Sequence, residues 1–165
     1  MRKWLMAMLF ATITGQTSAQ EMKIRDIFRQ MPDSLMPYLS QNNRLDFIDF
    51  LDSNMKAEVR NALGGTSEMT TLADDSLSIR MSESLKTDLL LLPLAQAVDS
   101  MTHVVAMVET FLVDSIYGDT RVSFFTPQWL PLSQEPPLGE VEKKRIDAHR
   151  LQNIVKKDDE VLNKR

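Results

Sequence analysis

The side chains best placed for chemistry in this chain are two histidines, His103 and His149, and one acid, Glu109, set in the apolar stretch from Thr102 to Val113. A histidine beside a carboxylate can serve as a general base, and a carboxyl buried among valines has its pKa pushed up toward the range of a general acid. Spacing speaks against a dyad. On one extended strand His103 and Glu109 share a face but stand about 20 Å apart, at roughly 3.3 Å per residue. The plainer expectation for Glu109 is that it faces water or pairs with an arginine such as Arg80 or Arg121. His149 falls in a charge-rich stretch where the sequence gives no sign of a pocket.

Other chemistries are thin. There is no cysteine, which excludes a disulfide framework, a thiol nucleophile, a thiolate zinc site and a lipidated cysteine. With two histidines, no His-x-x-x-His and no acid-rich ligand loop, no metal site is expected. No serine lies in Gly-x-Ser-x-Gly or Ser-x-x-Lys, and Gly64-Gly65 lacks the lysine of a phosphate loop, so that pair is read as the end of a helix. No catalytic residue is assigned and no cofactor is expected. Eight of the eleven methionines lie beyond residue 19. Their flexible thioethers suit core filling, and the alternative is an adaptable groove for a lipid or peptide.

Ile24, Ile27, Phe28 and Met31 fall three and four apart, the spacing of one helical stripe, and Pro32 ends it. Asp33 and Ser34 can cap a short turn before Pro37. Asn43, with Asp46 three residues on, resembles a capping box opening a longer helix through Leu45, Ile48, Leu51, Met55, Val59, Ala62 and Leu63. After Gly65 the period becomes two: Leu77, Ile79 and Met81 alternate with Ser78, Arg80 and Ser82, as in an antiparallel strand with one wet face. Leu89 to Leu92, closed by Pro93, suits a strand covered on both faces. Thr102 to Val113 is apolar on both parities, Tyr117-Gly118-Asp119 reads as a turn, and Arg121 to Thr126 alternates weakly. The expectation is an α+β domain, with N-terminal helices packed on one face of an antiparallel meander of about five strands.

The two ends differ from this core. Residues 1–19 carry Arg2 and Lys3, an apolar run from Trp4 to Ile13, and Thr17-Ser18-Ala19 before Gln20, the layout of a secretory signal peptide cleaved between Ala19 and Gln20. At about half the 20 apolar residues needed to span a bilayer, the run is too short for a stable anchor. Cleavage leaves 17 basic residues against 23 acidic ones, a formal charge of −6, which disfavours nucleic acid and anionic lipid as partners. Residues 20–132 then make one domain, and residues 133–165 a polar, charged tail, read as an exposed helix, with a disordered tail as the alternative.

Three stretches carry a resemblance: Asn43-Arg44-Leu45-Asp46-Phe47-Ile48-Asp49-Phe50, then Ala62-Leu63-Gly64-Gly65 with Leu72-Ala73-Asp74-Asp75, then Phe124-Phe125-Thr126-Pro127-Gln128-Trp129. In that order they resemble an uncharacterised domain-of-unknown-function family of small secreted proteins from Bacteroidetes, over Met22 to about Leu132. The resemblance implies an envelope or secreted location in a Gram-negative bacterium and brings no reaction, ligand or catalytic residue. The function expected from the sequence is a non-enzymatic binding or assembly module that recruits an envelope protein, with Phe125 and Trp129 as candidate partner contacts, although the plainer expectation is that one or two of Phe124, Phe125 and Trp129 close the core. The alternative is a small-ligand or lipid carrier, or a hydrolase, with a pocket near Glu109.

Overall fold

The computed structural model describes residues 21–113 and 116–150. The signal-like segment and its cleavage pair, Ala19 and Gln20, lie outside the described residues, as does the last part of the charged tail. Helix α1 (Ile24–Arg29), a 3-10 turn (Asp33–Leu35) and helix α2 (Gln41–Asp52) lead into six strands: β1 (Glu58–Arg60), β2 (Thr66–Leu72), β3 (Ser76–Arg80), β4 (Leu85–Val98), β5 (Met101–Val113) and β6 (Ile116–Phe125). They form one antiparallel meander in chain order. Residues 140–150 are a further helix, α3.

The expected strand count was about five, and the additional strand comes from a segment read as helix. α2 stops at Asp52 because Ser53 caps it and Asn54 turns left-handed at φ 55°, a conformation asparagine tolerates better than most residues. Ala57 and Val59 then point inward while Lys56, Glu58 and Arg60 point out, the period of a strand. The helix also begins earlier than Asn43. The Ser40 hydroxyl accepts from the Asn43 N–H, and the Asn43 side chain accepts from the Ser40 N–H, so the capping box sits one turn upstream. Gly64, at φ +82°, belongs to the β1–β2 connection. The turn expected over Tyr117-Gly118-Asp119 lies instead within β6, where the β5 pairing skips a residue between Phe111 and Leu112. Pro93 does not end its strand: β4 runs on to Val98, with Pro93 opposite His103.

Both faces of the sheet are covered, so the helices are not confined to the N-terminal side of the fold. On one face Met69, Leu77, Ile79, Leu89, Leu91, Val105 and Met107 pack against Ile24, Ile27, Phe28, Phe47 and Ile48 of α1 and α2. On the other, Leu90, Leu92, Val104, Ala106 and Val108 pack against Leu138 and Ile146. Two buried faces explain why Leu89–Leu92 and Val104–Val108 are apolar on both parities. Up to residue 150 the C-terminal segment is therefore part of the packed structure. The Ala95 N–H donates to Pro137 O at 2.9 Å, tying residues 137–138 to β4, and burying Ile146 stabilises the docking of α3 by about 2 kcal/mol.

The N-terminal layer is organised by a buried cation. Arg44 of α2 is 1 % exposed; its guanidinium donates to Leu39 O at 2.8 Å and Met31 O at 2.5 Å and pairs with the Asp33 carboxylate at 2.8 Å. One planar fork thus satisfies the carbonyls that end α1 and precede α2.

Candidate functional site

Glu109 lies directly opposite Arg121 in the β5–β6 ladder. Its Oε2 accepts from Arg121 Nε at 2.8 Å and Nη2 at 2.7 Å, and the same guanidinium stands 5.8 Å from the centre of the Phe111 ring. The carboxylate is engaged by a cross-strand partner and lines neither groove described below. His103, at the far end of β5, has its Nδ1 3.0 Å from the Thr102 hydroxyl.

His149, by contrast, has a partner the sequence did not reveal. α3 lays its Nδ1 3.5 Å from Oδ2 of Asp88, a fully buried carboxylate of β4. The Ser78 hydroxyl of β3 donates to Oδ1 of the same group, and Lys86 Nζ stands 3.1 Å from Oδ2. Burial pushes the Asp88 carboxyl up. The hydrogen bonds from His149 and Ser78 and the Lys86 charge outweigh it, and together they hold the group below the usual carboxylate range. A serine, an aspartate and a histidine so close invite comparison with a nucleophilic triad, but the wiring differs. In a triad the histidine takes the serine proton and the acid orients the histidine. Here the carboxylate lies between the other two, and the Ser78 hydroxyl is buried and already donating to it. The cluster is a polar clasp holding α3 to the sheet, reinforced by Arg145 and Asp75 at 2.8 Å.

Open surface of a different kind lies at the other end of the long β4–β5 hairpin. The turn there is made by Asp99 and Ser100, both left-handed at φ 46° and 67°, the twist that suits a two-residue hairpin. Beside it a groove of about 500 Å³ is lined by Met22, Val98, Met101, His103, Pro127 and Gln128, among others. A second groove, of about 720 Å³ between α2 and β2, is lined by residues such as Arg25, Asp52 and Asp74. Those charges are already paired, Arg25 with Asp52 at 2.6 Å and Asp74 with Lys23 at 2.9 Å.

Phe125 and Trp129, the candidate partner contacts, are only 5 % and 4 % exposed and close the core, their rings tilted at 56° with centres 5.6 Å apart. The reason is local. Trp129 takes a left-handed backbone at φ 66°, its N–H donates to Thr126 O, and its indole Nε1 donates 2.9 Å to Ile27 O of α1. The Thr126 hydroxyl accepts from the Gln128 and Leu130 N–H groups. This pins the loop 126–130 and leaves Pro127 and Gln128 on the groove and Leu130 in solvent, 64 % exposed. Sequence reasoning located the segment but not which of its residues face outward.

Among the described residues no group of three or more His, Cys, Asp or Glu side chains is arranged to hold a metal ion, and no helix is long and apolar enough to cross a membrane.

A family model described as "Protein of unknown function (DUF3256)" matches residues 14–161. The chain belongs to that family. The DUF3256 match takes in the Asp88 clasp, the groove, and α3. A solved structure of a domain of an uncharacterised protein from Porphyromonas gingivalis W83 is similar to this DUF3256 chain at 24% identity and a TM-score of 0.55, over 68% of this chain and 57% of that one. This chain thus spans little more than half of that structure, and the likeness speaks to fold alone. No curated protein matches the chain.

Proposed function

We propose that this DUF3256 chain is an exported, non-enzymatic binding module of the bacterial envelope, and that its partner is a protein received in the groove at the end of the β4–β5 hairpin. The observation that carries the reading is the build of that groove. One wall is a tight hairpin turn, the other a loop pinned to α1 by the Trp129 indole, and between them Met22, Val98, Met101 and Pro127 offer apolar surface beside the polar His103 and Gln128. Pre-formed walls lower the ordering cost of binding. Two of the three side chains that first suggested catalysis are engaged elsewhere, Glu109 by Arg121 and His149 by Asp88, and the third, His103, lines the groove. Export rests on the layout of residues 1–19.

Crosslinking intact cells of the native host, followed by mass spectrometry of the attached proteins and of the chain's own N-terminus, tests both halves. The expected result is a reproducible envelope partner attached to a chain beginning at Gln20. An N-terminus at Met1 would remove the export half, and a chain beginning at Gln20 with no partner would remove the binding half.

A further inference from the structure

The two edges of the sheet are built differently. β1 is three residues long, carries Glu58 and Arg60 outward and is flanked by Lys56, the short and charged edge that resists pairing. β6 runs from Ile116 to Phe125 without a proline or lysine. Its outer side is paired among the described residues only at the far end, where Leu132 N–H donates to Phe124 O and Thr126 N–H donates to Leu130 O. Those bonds show that the even-numbered residues of β6 between the bulge at Gly118 and Phe124 turn their backbone groups outward. Thr120 agrees, since its N–H is held by the side chain of Asp119 at 2.7 Å and not by the ladder.

We propose that the β6 edge pairs antiparallel with β6 of a second copy of this chain, about a two-fold axis at Thr120, so that the sheet continues across both copies. Charge selects the partner and the register. With the axis at Thr120, Thr120 meets its own copy, Gly118 meets Val122, and Asp119 meets Arg121 twice, on the face where opposed side chains approach closest. Moving the axis to Asp119 opposes two aspartates, and moving it to Arg121 opposes two arginines, both unfavourable. Moving it to Val122 requires the Phe124 carbonyl, which Leu132 already occupies. Odd shifts would set outward-facing backbone groups against inward-facing ones. Asp119–Ser123 therefore lies between the bulge at Gly118 and the cap at Phe124, and within it Asp119–Arg121 pairs with itself in one self-complementary register, as an isologous contact needs. The Glu109 contact uses Nε and Nη2 of Arg121, and a guanidinium has further donors for a second carboxylate. On pairing, Asp119 releases the Thr120 N–H to the Thr120 carbonyl of the other copy.

Sedimentation equilibrium of the full chain, up to about 100 μM, tests this. The expected result is a dimer for the wild type, at least tenfold weaker self-association for Asp119→Arg and for Arg121→Asp alone, and a restored one-to-one dimer when the two variants are mixed. A wild-type monomer at that concentration, an unchanged Asp119→Arg dimer, or a mixture of folded variants that stays monomeric would overturn it. Should Arg121→Asp fail to fold through loss of the Glu109 pair, hydrogen exchange decides. The Thr120 and Val122 amides should gain protection with rising concentration in the wild type and not in Asp119→Arg; concentration-independent exchange would contradict the pairing. So would a stable complex through β6 formed only with a different protein.

Discussion

His149 on α3 reaches Asp88 on β4, 3.5 Å from Nδ1 to Oδ2 across 61 residues of sequence, and so joins the C-terminal helix to the second face of the sheet at a fully buried carboxylate. The contact explains why a charge-rich segment folds back on the domain: one acid gathers His149, Ser78 and Lys86 from three elements, and Ile146 supplies the apolar half of the docking.

Asp88→Asn should destabilise the domain by about 2–4 kcal/mol at pH 7, because Lys86 is left without its countercharge beside a buried group. The pH dependence has a definite sign. A carboxyl held below its usual pKa in the fold stabilises fully above the unfolded value, about 3.9, and loses that contribution as pH falls through the lower folded value. Urea unfolding from pH 7 to 3 should therefore show wild type and Asp88→Asn converging below about pH 4. Curves that stay parallel to pH 3 would rule the clasp out as an acid-sensitive contact.

Arg44→Ala should cost about 3–5 kcal/mol, since it strands the Met31 and Leu39 carbonyls and empties the space between α1 and α2. Asp33→Ala removes only the exposed member of the pair and should cost less than about 1 kcal/mol. Thermal melts of the two variants check the asymmetry; equal losses would mean that the ion pair, not the carbonyl fork, is what matters.

Trp129→Phe keeps an aromatic ring in the core and deletes the bond to Ile27 O. A loss of about 1–2 kcal/mol is expected, together with faster hydrogen exchange in the loop 126–130. Unchanged exchange there would show that the loop is held by Thr126 alone.

Much of the architecture was legible because apolar period is a direct readout of which faces are buried. The α1 stripe and the double-sided runs in β4 and β5 appear as the sequence suggests, and Leu77 and Ile79 face the α1–α2 core, but Ser78, on the face read as wet, is buried against Asp88. β1 was not, because Met55, Val59, Ala62 and Leu63 continue the helical spacing by coincidence while the left-handed Asn54 ends the helix. The pairing of Glu109 with Arg121 was foreseeable as one of two arginine partners, since the choice needed only strand register. Asp88 was missed for a different reason. It sits two residues before Leu90, on the parity that α3 covers, and only knowing that α3 returns to that face makes an acid there significant. Phe125 and Trp129 close the core, the plainer of the two readings their aromatic cluster allows, and not the partner-contact one; which of them turn inward was not legible because a left-handed backbone at a non-glycine residue leaves no mark in composition.

The claim that this chain works by binding a protein in the hairpin groove is tested most directly by a photo-crosslinking amino acid placed at Gln128, on the groove, and at Leu63, on the exposed β1–β2 connection, in cells of the native host. The account predicts one discrete adduct from position 128 that is absent from position 63 and is lost when Met101→Asp is added. Equal labelling from both positions, or an adduct at 128 that survives Met101→Asp, would contradict it.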